Sequence, residues 1–436
     1  MRAVPFHRRI LPWIFVVVFL AMAPAVVFYT SGYRYDAKRG KIERNGTVII
    51  DTVPNGAKVW IDGRDSGKTT PITIQDMVPG THSFRIQKDG YHEWHKNLDV
   101  YPERVTFANA VKLWPMIDPT FLLSTQAESL SPSPNSTAIF MSTSGTADIP
   151  TLSALTLSTI PNFHISSLQA VTLVADLRQA DISWSTNGRH AIASLPDRRA
   201  WLIDSQVKSS PISLPVGRYR WEGRTAIGVD GRVLTTIATD GTLTRSTFVP
   251  NIVDQIDDLE LRMVTSTSQL VFTSPSHPGK GFILPHGNWR FWSTDRTATI
   301  LRDGDRWLSL TEAEDGSFVP HEARGKSLRL FQDRRGTKAL LIAGNELSQW
   351  DLRSQPELLY RQSEDIVQAD WASSGAHVFF ATRSSLFALE LDARDGRKLD
   401  LLATFDRLDG VVFYKNTLIL LGKKGVNTGV WGMKVE

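Results

Sequence analysis

Ile182-Ser183-Trp184-Ser185-Thr186-Asn187-Gly188-Arg189-His190-Ala191-Ile192 is the stretch that decides the fold. It returns, in the same order of residue classes, as Ala369-Asp370-Trp371-Ala372-Ser373-Ser374-Gly375-Ala376-His377-Val378-Phe379. Each copy reads as an apolar or aromatic run, a small polar turn, then an apolar strand. Weaker copies run from Ser131-Pro132 to Phe140, Tyr219-Arg220-Trp221 to Ile227, Val264 to Phe272, Phe291-Trp292 to Ile300, Leu330-Phe331 to Ile342, and Val412-Phe413 to Leu420. The spacing is irregular and centres on about 40 residues, the period of a four-stranded propeller blade. Eight copies predict eight blades, with seven as the alternative because the copies near 264 and 292 crowd together.

Working outward, Asp-Gly pairs punctuate the region at 230–231, 240–241, 303–304, 315–316, 395–396 and 409–410. They suit hairpins between short strands. No segment after residue 46 carries a long stripe of helical period. The last strand, Gly429 to Val435, leaves a final blade that Phe121-Leu122-Leu123 could complete from the other end of the region, removing an open sheet edge. Trp184 and Trp371 are expected to wedge between blades as core. The Trp-Ser-x-x-Gly units, best at Trp184 to Gly188 and Trp371 to Gly375, resemble the Trp-Ser-Pro-Asp-Gly repeats of TolB-type propellers, although both lack the Pro-Asp pair. The predicted fold class is mainly β: one N-terminal transmembrane helix, a small β-sandwich, then a seven- or eight-bladed β-propeller over 116–436.

The sandwich is read from residues 46–115. Thr47 to Asp51 is rich in β-formers. Asn55-Gly56 and Asp62-Gly63 bracket Ala57 to Ile61 with residues that accept positive φ. Pro79-Gly80 suits a type II turn. Phe84 and Ile86 share one face of their strand, and Val105, Phe107, Val111 and Leu113 alternate along the last strand, expected to share its inward face, Asn109 excepted. The ordered series Pro54-Asn55-Gly56-Ala57, Val59 to Gly63, Gly67 with Thr70-Pro71, Pro79 to His82, and Gly90-Tyr91 resembles a PEGA domain over about a sixth of the chain. That resemblance implies a small β-sandwich, no catalytic residues, and a place in an extracytoplasmic or surface-attached protein.

Ahead of it, Ile10 to Tyr29 is an uncharged run. As a helix, twenty residues reach about 30 Å, one hydrocarbon core. Residues 1–9 read as a short basic cytoplasmic head, 10–29 as a transmembrane signal anchor, and 30–45 as a juxtamembrane linker. Trp13, Tyr29 and Tyr33 sit near the ends of the run, where amphipathic rings prefer to be. Secretion after cleavage at Ala21-Met22-Ala23 or Ala23-Pro24-Ala25 is the alternative. Basic residues flank both ends, so the positive-inside rule does not decide orientation. A bulk domain outside the cytoplasm is the expectation, carried by the PEGA resemblance.

Chemistry is sparse. The 436 residues contain no cysteine, which removes disulfides, thiolate nucleophiles and iron–sulfur ligation. Forty-nine basic against 45 acidic residues is too even to argue for nucleic acid. No GxSxG elbow occurs, and His277, His286, His321 and His377 share no spacing. Gly63 to Thr69 imitates a phosphate loop, yet it has three residues between its glycines where four are needed and strand residues after it. His92-Glu93-Trp94-His95 falls one residue short of HExxH and reads as surface histidines. Asp392-Ala393-Arg394-Asp395-Gly396 resembles the start of a calcium loop with broken spacing, so a hairpin turn is expected. The sequence therefore assigns no residue a catalytic, cofactor-binding or metal-binding role. Arg324, Lys326, Arg329, Arg334, Arg335 and Lys338 form a basic stretch with possible contact to an anionic polymer, lipid headgroup or partner.

The expected function is a membrane-anchored extracytoplasmic binding or scaffold protein, non-catalytic, contacting lipid through Ile10 to Tyr29 and a protein or cell-envelope polymer through the propeller. An envelope sensor or assembly factor with a membrane partner, and a hydrolase with its site in the propeller channel, are the alternatives.

Overall fold

The computed structural model describes residues 6–30, 33–36, 41–133, 139–143, 151–157, 165–172, 180–185, 187–205, 210–222, 225–230, 233–238, 242–247, 251–256, 259–264, 269–274, 280–294, 298–333, 336–414 and 416–435. The chain divides into two compact units: Met1–Met116 with Asp392–Lys398, and Ile117–Leu391 with Leu399–Glu436.

In the first unit, helix α1 spans Phe6–Thr30. Its described apolar side chains, among them those from Trp13 to Leu20, are exposed. Among the described residues, no helix is long and apolar enough to cross a membrane. Within the span 30–45, Tyr33–Asp36 pairs antiparallel with Lys41–Arg44, and Arg44 meets Glu103 at 2.9 Å.

Seven further strands form two sheets. Gly46–Val53 pairs antiparallel with Ile72–Met77 and parallel with Val105–Lys112. The other sheet runs Arg64–Thr69, Lys58–Ile61, Gly80–Gln87, Trp94–Val100. Both pack on one core that includes Val48, Ile50, Val59, Phe84, Ile86, Trp94 and Leu98, the sandwich expected from the alternating pattern. Asp62 (φ 50°) and Gly63 (φ 78°) supply the two positive φ values of a tight hairpin turn, so the phosphate-loop imitation is the strand Arg64–Thr69. Gly80, at φ 146°, lies outside type II geometry and opens a strand. The expected inward face of Val105–Lys112 is also corrected. Val105 and Phe107 are exposed while Thr106, Ala108 and Val111 are buried. A register shift opposite Ile50 to Thr52 moves the buried set by one place along the strand, which turns each side chain to the other face. Lys96 is buried on the edge strand Trp94–Val100. Its ammonium donates to the Asp392 carbonyl at 2.6 Å, and the Asp395 carboxylate accepts the Asn97 N–H at 2.7 Å. The segment Asp392–Lys398 thus satisfies polar groups of that edge, and the calcium-loop imitation is a turn with Asp395 and Gly396 at positive φ.

In the second unit the strands form eight four-stranded antiparallel sheets, each a simple meander in chain order except the last. Their first strands are Ala127–Pro132, Asp181–Trp184, Arg218–Glu222, Ile252–Ile256, Arg290–Thr294, Ser327–Asp333, Gln368–Trp371 and Arg407–Tyr414; the sheets are numbered one to eight accordingly. Thr120–Ser124 pairs with Asn427–Lys434 and so completes sheet eight from the far end of the unit, as read from Phe121-Leu122-Leu123. Sheets one and eight share a core of Leu130, Ile139, Met141, Val412, Tyr414 and Ile419. Eight four-stranded sheets in succession, the last packed against the first, give a propeller-like architecture, and each sheet is termed a blade below. The copy read at Val264 is displaced: it straddles the second and third strands of sheet four, whose first strand is Ile252–Ile256. Every hairpin in a blade has the same apolar-turn-apolar order, so the pattern matches a later hairpin as well as the first.

First strands bond to first strands. The Trp184 indole donates to Ser131 Oγ at 3.1 Å, the Trp221 indole to the Ser183 carbonyl at 3.0 Å, and the Trp371 indole to the Arg329 carbonyl at 3.2 Å. Trp184 stacks on Phe140 of sheet one with centroids 4.5 Å apart, and Trp371 lies 5.2 Å from Phe331 of sheet six. Both act as wedges between blades, an arrangement that buries the ring and satisfies its N–H.

Candidate functional site

In an antiparallel meander the start of a first strand and the end of the second strand lie on the same rim. The connections entering each first strand and the turns between second and third strands therefore gather there. On this rim, at sheets three to five, the fold leaves a cavity of about 750 Å³. Five arginines line it: Arg198 from the turn after His190–Ser194, Arg218 and Arg220 from the first strand of sheet three, and Arg290 and Arg302 from the first two strands of sheet five.

Two carboxylates in the lining are already engaged. Asp254, with a side chain only 3% exposed, accepts the Arg220 guanidinium at 2.8 Å on one oxygen and the Phe291 N–H at 3.0 Å on the other. Arg220 also reaches Glu222 at 3.0 Å. Asp303 faces Arg306 at 3.4 Å. Outside the lining, Asp230 meets Arg198 at 3.2 Å. Among the described residues, Arg218 and Arg290 form no ion pair. Arg290 donates to the Trp289 carbonyl at 2.8 Å. Burial pushes its guanidinium below the ordinary arginine value, and the charges of Arg218 and Arg198 push the same way against Asp254 and Asp303. Like charges held together beside a partly buried guanidinium make a site that gains from an anion.

The remaining wall is apolar and fixed. Burial raises the Tyr219 hydroxyl to about 12, so it stays protonated and donates to the Pro215 carbonyl. Its ring covers Gly228, where any Cβ would run into it. Trp292 meets Trp307 edge-on at 5.2 Å. A second cavity of about 330 Å³, with Asp181, Ser183 and Ser194 in its lining, shares Arg198, Arg218 and Tyr219 with the first.

The basic residues singled out in the sequence lie elsewhere. Arg324 ends Phe318–Arg324, Lys326 sits in the connection into sheet six, Arg329 is in its first strand and Lys338 in its second. Neither cavity includes them, and Arg334 and Arg335 lie outside the described residues. Of the histidines, His286 enters sheet five, His321 is on its last strand, and His377 opens the second strand of sheet seven; His277 lies outside the described residues. His95, from the HExxH imitation, bonds the Ser83 hydroxyl at 2.9 Å. Among the described residues no group of three His, Asp or Glu could hold a metal ion.

The arginines of the cavity escaped the sequence reading, though a signal was present. Arg218 and Arg290 each stand one residue before recognised repeat copies, Tyr219-Arg220-Trp221 and Phe291-Trp292. Aligning the copies one residue further upstream puts both at the first position of a first strand.

Comparison with known proteins places the PEGA domain model on residues 45–112. No curated protein matches the chain. Solved structures with a similar course include the Dos1 propeller, 12% identical with a TM-score of 0.47 over 73% of this chain and 96% of that one. The C-terminal WD40 domain of Sif2 is 11% identical with a TM-score of 0.45 over 73% of this chain and 99% of that one. BamB from Moraxella catarrhalis is 9% identical with a TM-score of 0.39 over 73% and 96%. Likeness of this degree assigns no ligand; the blades rest on their own strand pairing.

Proposed function

We propose that the chain is a membrane-attached binding protein: α1 holds it to lipid, and the propeller presents its rim to a protein partner outside the cytoplasm without making or breaking bonds. The observation that carries this reading is α1. Its described apolar side chains are exposed over more than two turns, and the uncharged run Ile10 to Tyr29 in the sequence is long enough for one hydrocarbon core. A row of exposed apolar side chains calls for an apolar partner, and the acyl region of a bilayer is one. The PEGA module on residues 45–112 supports placement of the bulk beyond the membrane. The stretch Arg324, Lys326, Arg329, Arg334, Arg335 and Lys338 is a second candidate for an anionic contact, argued from its sequence alone.

The test is fractionation of cells expressing the full chain, followed by protease treatment of spheroplasts. The chain is expected to stay with carbonate-washed membranes, to become soluble when residues 6–30 are deleted, and to be digested from outside. Recovery of the intact chain in the soluble fraction overturns the attachment; protection of the propeller in intact spheroplasts overturns its placement.

A further inference from the structure

We propose that the cavity on the rim of sheets two to five is a binding site for an acidic peptide segment, with Arg218 and Arg290 taking its carboxylates. The inference rests on the binding reading above and deepens it by giving the chemistry of the partner.

Charge comes first. Asp254 is held by Arg220 and the Phe291 N–H, Asp303 faces Arg306, and Arg198 meets Asp230. Arg218 and Arg290 remain without a carboxylate among the described residues, each with a planar fork of donors that matches a carboxylate in bidentate geometry.

Shape decides the ligand class. The two cavities, about 750 and about 330 Å³, share Arg198, Arg218 and Tyr219, so the site runs along the rim from sheet two to sheet five. A single inorganic oxyanion fills little of such a volume, whereas a chain follows its length. The lining combines charged, amide and aromatic side chains, the chemistry a peptide presents. Guanidinium groups face the acids, the Asn251 and Asn288 amides offer both donor and acceptor to a backbone, and Trp292 gives an apolar wall. Arg198 and Arg218 are exposed, so a segment of a folded partner reaches them without entering the propeller.

The experiment uses the full chain in an uncharged detergent and three probes: a fluorescent octapeptide of alternating Glu and Leu, the same peptide with Lys for Glu, and inorganic pyrophosphate. The Glu peptide is expected to bind saturably and to weaken as salt rises, and the Lys peptide not to bind. Arg218→Glu and Arg290→Gln are each expected to weaken the Glu peptide at least about tenfold, while Arg64→Gln, at an exposed arginine of the sandwich, leaves it unchanged. Arg218 is exposed and forms no ion pair among the described residues, so its reversal keeps the fold, which thermal unfolding checks. Absence of saturable Glu-peptide binding, or equal affinity in the two cavity variants and the parent, overturns the proposal. Pyrophosphate binding that needs both arginines, with no peptide binding, overturns it in favour of a small phosphoryl ligand. Membrane fractionation is read separately, so a failed peptide assay leaves the attachment of α1 standing or falling on its own result.

Discussion

The Asp254 carboxylate accepts the backbone N–H of Phe291 at 3.0 Å, joining the first strands of sheets four and five. Its other oxygen holds Arg220 of sheet three at 2.8 Å. One buried side chain therefore ties three consecutive blades through their first strands. The device recurs: Asp370 of sheet seven accepts the Phe413 N–H of sheet eight at 3.1 Å and its own strand's Trp371 N–H at 2.9 Å. Burial pushes the Asp370 carboxyl up, and the Arg329 charge and the two N–H groups pull it back.

Replacing Asp254 tests how much that tie contributes. Asp254→Ala leaves the Phe291 N–H without an acceptor and the partly buried Arg220 with Glu222 alone. The loss is expected to be about 3 kcal/mol, the range for breaking a buried charged pair. Urea unfolding followed by tryptophan fluorescence reads it, and a loss below about 0.5 kcal/mol would refute the assigned weight.

The wedge role of Trp371 separates into packing and hydrogen bonding. Trp371→Ala empties the contact with Phe331 and should cost about 3–5 kcal/mol. Trp371→Phe keeps an aromatic there and loses only the indole N–H donated to Arg329, for about 1 kcal/mol. Equal losses in the two variants contradict the assignment.

His190 gives a pH dependence of known sign. Burial pushes its imidazole below the ordinary value, with the Asp204 carboxylate 3.5 Å away opposing and Arg189 assisting. The unfolded chain, with histidine near 6.5, then takes the proton first as pH falls. The contribution of the neutral ring is complete above about 6.5 and is lost as pH drops through the folded value. His190→Gln should therefore flatten the fall in melting temperature between about pH 7.5 and 5.5. Parallel slopes for parent and variant would remove His190 as the cause.

Gly429 controls how the last sheet is completed. It sits at φ 151°, and a Cβ there would overlap the Leu123 carbonyl. Gly429→Ala must push Thr120–Ser124 away from its partner strand, at a cost of about 2 kcal/mol or more. Amide hydrogen exchange should rise in residues 120–124 and 429–432 while sheets three to five keep their protection; unchanged exchange at 120–124 counts against the clash.

Much of this architecture was readable from residue order. Trp184 and Trp371 gave the blade unit because a wedge between sheets demands a large ring with a polar handle at a fixed place. Phe121-Leu122-Leu123 gave the completing strand because Gly429 to Val435 would otherwise leave an open edge. In the sandwich Val111 and Leu113 face inward as expected, whereas Val105 and Phe107 do not, because a bulge shifts the period in a way that composition does not record. The copy at Val264 was misplaced because hairpins within a blade resemble one another. The cavity was hidden for a different reason. Arg198, Arg218 and Arg290 belong to three different sheets, and each alone is an ordinary surface arginine. The basic run from Arg324 to Lys338 is close in sequence, yet its described residues fall on separate elements that line neither cavity.

The borrowed strand Thr120–Ser124 also dictates an order of events during biosynthesis. Its partner, Asn427–Lys434, is translated roughly three hundred residues later, which at ribosomal speeds is on the order of half a minute. Throughout that interval the early segment has nothing to bond with, and its exposed backbone invites pairing with other nascent chains. A factor that shields residues 120–124 until translation finishes would raise the yield of native protein more than one acting on any later blade.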